Sequence, residues 1–152
     1  MADVEQLSEP KQLAGYELIA KLADGPMGAV YKAKSHGVEG FEKILVVKVI
    51  DPELVETHSF LEILIEEAKR GVNLSHANIA QVYDLGRAED DNQFYIATEF
   101  VDGFDLGRAR NLADRASEEW TQALSIFIVS EVAKGLDYAH RRKDFNFNNL
   151  NI

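Results

Sequence analysis

The chain has no cysteine, one tryptophan and three prolines in 152 residues. Without thiols there is no disulfide framework, no Cys-ligated zinc and no thiol nucleophile. Ten glycines and three prolines are too few for collagen or a Gly/Pro-rich low-complexity chain. Positive charge is also scarce. Sixteen Lys and Arg stand against 26 Asp and Glu, which sets a formal charge of −10 and a sequence pI near 4.8. Phosphate backbones and anionic headgroups are held by net positive surfaces, so neither a nucleic acid nor a membrane is an expected partner. No apolar run approaches the roughly 18 residues of a membrane span. The longest, 44–47 and 126–129, are short and flanked by polar groups. Met1-Ala2-Asp3-Val4-Glu5 offers neither a basic nor an apolar signal region. A cytoplasmic location is therefore the expectation.

What is present suits a folded domain. With 46% hydrophobic and 28% charged residues the chain can bury a core, unlike a disordered acidic tail. Residues 1–15 are polar and read as a leader interrupted by Pro10. Alternation over 16–22 and 29–33 predicts two strands joined at Asp24-Gly25-Pro26, and the β-branched run 43–50 predicts a third, with Lys48 inside it. From 57 to 74, Phe60, Leu61, Leu64, Ile65, Ala68 and Val72 recur at helical spacing. Strands follow at 79–85 and 94–101. A short helix is expected over 105–116 and a long one over 117–140, with Ser117 as its cap and Leu124, Ile128, Val132, Leu136 and Ala139 on one side. Five strands with one inserted helix and trailing helices describe an α+β fold with an antiparallel sheet; regular βαβ alternation is missing.

Two residues stand out chemically. Lys48 is flanked by apolar neighbours in Val46-Val47-Lys48-Val49, where an unpaired ammonium is costly. Glu67 falls seven residues after Phe60 and three after Leu64, on the stripe read as inward, while Glu66 is spaced to pair with Arg70. The expectation is that the two oddities answer each other as an ion pair; the alternatives are a solvated helix charge at Glu67 and an edge-strand lysine at Lys48.

This order of elements, with a Lys in the third strand and a Glu in the next helix, resembles the amino-terminal lobe of a protein kinase, of the bacterial Ser/Thr branch. The resemblance runs from about 16 to 152. It implies a kinase lobe over 16–101 and the start of a second, helical lobe over 102–152. Leu22-Ala23-Asp24-Gly25-Pro26-Met27-Gly28-Ala29-Val30 is similar to the kinase Gly-rich loop, whose backbone N–H groups approach phosphate oxygens. Gly25 and Gly28 take its second and third glycine places, Ala23 replaces the first, Val30 would cover the adenine, and Leu22 is implied as a further nucleotide contact. Lys48 would contact the α- and β-phosphates and pair with Glu67. Val46 stands where kinases commonly have alanine in the adenine roof. Thr98 is implied as gatekeeper, the backbone of Glu99 and Val101 as the adenine hinge, and Asp105 as a ribose contact. His76-Ala77-Asn78-Ile79 is similar to a structural link of the family, and no metal site is read from the histidines.

The implied function is transfer of the ATP γ-phosphoryl group to a Ser or Thr hydroxyl, with ATP as cofactor and Mg²⁺ in a complete kinase. The sequence contains no His-Arg-Asp-x-x-x-x-Asn loop and no Asp-Phe-Gly, the sources of the base and both magnesium ligands. His140-Arg141-Arg142-Lys143-Asp144 imitates the loop, with Asn149 five residues after Asp144, but in the wrong register. The expectation is an ATP-binding-lobe fragment that is inactive alone. The alternative is a naturally short, pseudokinase-like module that acts through self-association or a protein partner on the apolar helix 123–140. An acidic α+β domain unrelated to kinases is a third reading.

Overall fold

The computed structural model describes residues 5–56, 58–89 and 93–143. The chain divides into two compact units: Met1–Ser75 with Ala80–Phe100, and His76–Ile79 with Val101–Ile152.

The first unit is built on one antiparallel sheet. Its strands are β1 (Glu5–Leu13), β2 (Tyr16–Gly25), β3 (Gly28–His36), β4 (Glu42–Ile50), β5 (Val82–Arg87) and β6 (Phe94–Glu99), in the order β1-β2-β3-β4-β6-β5. The sheet has six strands where the sequence pattern predicted five, because Glu5–Leu13 is a strand and not a leader. Ala14 and Gly15 both take positive φ, 48° and 86°, so a two-residue turn closes Leu13 onto Tyr16 with the twist a hairpin needs. Asn-Gly or Asp-Gly would have announced that turn; Ala-Gly does not. Pro10 lies in the irregular stretch of β1 between Gln6 and Lys11, on a sheet edge where a missing N–H breaks no internal ladder.

Alternation along β4 gives the sheet its two faces. Leu45, Val47 and Val49 are buried with Leu13, Leu18, Ala33, Tyr95 and Ala97 in one cluster, while Val46 and Lys48 turn to the other side. At the rim of the cluster Asp84 accepts hydrogen bonds from Tyr95 Oη (2.9 Å) and Tyr16 Oη (3.3 Å). The two rings meet edge to face at 5.5 Å. Burial, and after it the hydrogen bond and charge of Asp84, push the Tyr95 phenol well above its ordinary value. Tyr16 is raised by burial and then by Asp84. Gly86 makes the arrangement possible: a Cβ there would collide with the Tyr95 hydroxyl and come within 2.8 Å of Cε1.

Between the strands, α1 (Pro52–Val55) is capped by Asp51, which accepts from Glu53 N–H at 3.0 Å. Helix α2 (His58–Val72) buries Leu64 and Ala68. It lies close to β5 at Gly71, where a Cβ would sit 2.7 Å from Val82 Cγ2.

The second unit holds α3 (Leu106–Ala116) and α4 (Gln122–Arg141). Asp105 caps α3, its Oδ1 accepting from Arg108 N–H at 2.8 Å. Ser117 is not the cap of the long helix. It ends α3 in the left-handed conformation (φ 56°), and Thr121 caps α4 by accepting from Leu124 N–H at 3.1 Å. Helix α4 buries only Gly135 and Ala139, with Gly135 against Asn78 and Ile79. Leu124, Ile126, Phe127, Val129, Val132 and Leu136 are exposed. Among the described residues no helix is long and apolar enough to cross a membrane.

Gly86→Ala is expected to lower stability by about 1–3 kcal/mol through overpacking against Tyr95, read as a fall in the denaturant midpoint. The tyrosines give a pH signature. Their raised values mean that the neutral phenols stabilise the fold fully below the ordinary tyrosine value of 10.0, and that this contribution is lost as pH climbs above it. Stability measured across that alkaline range falls, and in Tyr95→Phe it falls less steeply.

Candidate functional site

The face of the sheet opposite the buried cluster collects four of the residues singled out in the sequence. Val30 pairs with Lys48 and Lys48 with Ile96; one step along, Lys32 pairs with Val46 and Val46 with Thr98. Directly paired residues in an antiparallel sheet share a face, so two rows cross three strands side by side. One reads Val30, Lys48, Ile96, the other Lys32, Val46, Thr98. All six are half-buried. Four of the six, Val30, Val46, Lys48 and Thr98, were named from sequence.

The Gly-rich segment is the hairpin between β2 and β3. Pro26 and Met27 form its tip and Gly25 faces Gly28. Gly28 has φ 122°, and a Cβ on it would collide with the Val49 carbonyl oxygen and reach 2.9 Å from Asp51 N. The cause is the β3–β4 ladder, which continues to the last possible pair, Gly28 with Ile50. Asp51 N–H then donates to the Met27 carbonyl at 3.1 Å and holds the tip down on β4. Gly28 is therefore demanded by the sheet itself. Gly25 is not: its nearest neighbour would be Gly28 O at 3.6 Å, an ordinary contact. Leu22 is the extra residue of a bulge between Lys21 and Ala23, half-buried beside the hairpin.

The ion pair expected between Lys48 and Glu67 is not formed. Glu67 is exposed and its Oε1 accepts from Arg70 Nη1 at 2.7 Å. Glu66, expected to pair with Arg70, is joined to Lys69 at 3.1 Å instead. Among the described residues no ion pair links Lys48 to Glu67. The reason is helical phase. Leu64 and Ala68 point inward, which leaves Glu67, one position before Ala68 and about 100° away around the helix, facing water. There an Arg three residues on is its nearest cation.

At the end of β6, Glu99 is tied twice to Gln81. Its N–H donates to Gln81 O at 2.8 Å, and its Oε2 accepts from Gln81 N–H at 3.1 Å. The next residue, Phe100, carries the Lys32 ammonium over its ring, 4.4 Å from the centroid. Gln81, Lys32 and Phe100 were missed in the sequence. The available signal was Lys32, two residues from Val30 and hence on the same face. Val101 and Asp105 belong to the second unit, where Val101 is exposed and Asp105 serves as the α3 cap.

Also in the second unit, His76 Nδ1 accepts from Asn78 N–H, and the Asn78 amide donates to Glu131 O (2.9 Å) and Oε2 (2.8 Å). His76 thus satisfies a turn N–H, whereas the Asn78 side chain reaches α4 and not the turn backbone expected of it. Lys134 first, and Asn78 after it, hold the Glu131 carboxyl below the usual range. Among the described residues no three His, Asp or Glu gather as a metal site. Asp144 and Asn149 lie outside the described residues.

A protein kinase domain model matches residues 16–147. The tyrosine-protein kinase MasK of Myxococcus xanthus is 34% identical over 125 residues, 82% of this chain and 19% of that protein. The serine/threonine-protein kinase PknJ of Mycobacterium tuberculosis is 34% identical over 137 residues, 90% of this chain and 22% of that protein. The crystal structure of the M. tuberculosis PknI kinase domain superposes with a TM-score of 0.71 at 32% identity, over 90% of this chain and 51% of that one. The chain spans about a fifth of these curated relatives and about half of the solved kinase domain. With sequence, fold and strand register in agreement, the chain belongs to the protein kinase domain family.

Proposed function

We propose that the first unit binds ATP, as the nucleotide-binding part of a serine/threonine protein kinase. The observation that carries this reading is the register that sets Val30, Val46, Lys48 and Thr98 on one sheet face. Such a face offers the aliphatic carbons of Val30 and Val46 to a purine, the hydroxyl of Thr98 at its edge, and the Lys48 ammonium to the phosphates. Gly25, whose glycine nothing in the fold requires, leaves backbone N–H groups of the hairpin open to a phosphate oxygen. In the parent reaction ATP supplies the phosphoryl group that a Ser or Thr hydroxyl accepts. The Ser/Thr assignment follows PknJ and PknI, whereas MasK carries tyrosine kinase in its name. Val101 and Asp105 keep their roles as hinge and ribose contacts on chain order alone.

Glu67 is left without a role, since its carboxylate is engaged by Arg70. Lys48 is the cation on which phosphate affinity rests. The sequence holds no His-Arg-Asp-x-x-x-x-Asn loop and no Asp-Phe-Gly, which supports a chain that binds nucleotide without turning it over. Its own contribution is to orient the nucleotide and to shield one side of it.

The exposed apolar residues of α4 favour a second reading, an interaction module. A helix that is apolar on most of its circumference belongs in an interior, and the apolar exposure from Leu124 to Leu136 exceeds what scattered surface residues explain.

ATP in large excess over its Kd is expected to raise the melting temperature by several degrees, the equivalent of about 2.7 kcal/mol at a hundredfold excess. Lys48→Ala removes the shift and Glu67→Gln keeps it. A shift that persists in Lys48→Ala overturns the site. Incubation with γ-labelled ATP and a Ser/Thr peptide should leave the label on ATP; transfer that is lost in Lys48→Ala would contradict the inactive reading. For the module, analytical ultracentrifugation at tens of micromolar is expected to show self-association that Ile126→Lys with Val129→Lys abolishes, and a monomer at that concentration rules it out.

A further inference from the structure

We infer that Lys32 is a positioning residue for the adenine end of the site, acting through Phe100. The inference rests on the nucleotide-binding reading above and deepens it.

Lys32 is half-buried in the middle of β3, in the ladder row it shares with Val46 and Thr98. An ammonium on an apolar-lined face needs compensation. Two other lysines of the sheet obtain it from carboxylates, Lys21 from Asp24 at 2.7 Å and Lys34 from Glu42 at 3.1 Å, while Lys43 lies over the Tyr83 ring at 3.5 Å. Among the described residues no carboxylate pairs with Lys32. Its charge lies instead over the face of the Phe100 ring, 4.4 Å from the centroid, well inside the range of a cation–π contact. To get there the side chain crosses β4, passing Val46.

The place it reaches decides the consequence. Phe100 directly follows Glu99, the last residue of β6. Gln81, just ahead of β5, holds Glu99 by two hydrogen bonds. Lys32 holds the next residue from the other flank of β6, across β4. The strand end is thus clamped from β5 on one flank and from β3 on the other, at the backbone the nucleotide-binding reading assigns to the adenine edge. A backbone fixed in advance loses less freedom on binding a flat base. Lys32 therefore favours adenine through Phe100, not by touching phosphate. The rival assignment is direct. Lys32 and Lys48 are diagonal neighbours on one face, so Lys32 would be a second phosphate cation.

Calorimetric titration of the full chain with adenosine and with ATP separates the two. Lys32→Met is expected to weaken both ligands by the same factor, about threefold to tenfold. Lys32→Arg restores them, since a guanidinium also stacks on a ring. Phe100→Leu reproduces the loss, and the double variant loses no more than either single one. Weaker ATP binding with unchanged adenosine binding overturns the inference in favour of a phosphate contact. Hydrogen exchange in the nucleotide-free protein gives a second readout. Amides at 99–101 exchange faster in Lys32→Met and return to the wild-type rate in Lys32→Arg, with unaltered far-UV circular dichroism in both; unchanged exchange overturns the brace. If wild type binds neither adenosine nor ATP, the nucleotide reading fails and the adenine role of Lys32 with it. If wild type binds both and Lys32→Met binds them equally well, the inference alone fails.

Discussion

The hydrogen-bonded register of β3, β4 and β6 is the constraint on which the rest of the first unit depends. Side chains alternate with period two along a strand, so a slip of one residue would send Lys48 into the buried cluster and Val47 out of it. The register is pinned from the core side, where Leu45, Val47 and Val49 fit against Ala33, Tyr95 and Ala97. Those contacts are apolar and local. Their effect on the opposite face is chemical: they fix which side chains stand in a row there, and so they build the candidate nucleotide surface without touching it.

The same ladder explains the glycines. Because β3 and β4 stay paired to Gly28 and Ile50, the hairpin tip lies on the end of β4, and only a residue without Cβ fits at Gly28. At Gly86 the demand comes from Tyr95, whose hydroxyl passes over the backbone to reach Asp84. Gly25 is the contrasting case, a glycine whose Cβ would meet only Gly28 O at 3.6 Å, so that the fold does not require it. The first two glycines thus answer to a ladder and a phenol.

Electrostatics on α2 is settled by proximity and solvent. An exposed pair three residues apart on a helix is worth a few tenths of a kcal/mol, and Glu67 with Arg70 is such a pair. Bringing Glu67 to Lys48 would need its carboxylate turned from the wet side of the helix toward the sheet face, against the packing of Leu64, worth about 1.5–3 kcal/mol when fully buried, and of the Ala68 methyl, worth roughly 0.8 kcal/mol. Hydrophobic phase outweighs the ion pair, and the helix keeps Glu67 in water.

Much of this was legible in the order of residues. Strand and helix periods placed β2, β3, β4, β6 and α2, and the apolar flanks of Lys48 marked it before any partner was known. The strand β1 was illegible because its turn, Ala14-Gly15, carries no strong turn signal, and because its pairing is made with a neighbour already counted as an edge. The cap of α4 was displaced from Ser117 to Thr121 because two Ser/Thr candidates stand within one turn and only backbone geometry chooses between them. Glu67 was misassigned because an apolar stripe drawn from Phe60 is wide enough to admit it, and only packing fixes its centre. The sequence by itself determined most of the segments that form strands and helices, β1 excepted, and which residue types the sheet can offer, since these follow from local periodicity and side-chain chemistry. Only the tertiary structure decided which of them share a face, that Glu67 turns to Arg70 and that Lys32 reaches Phe100, because those depend on long-range register and on which side of each element is buried.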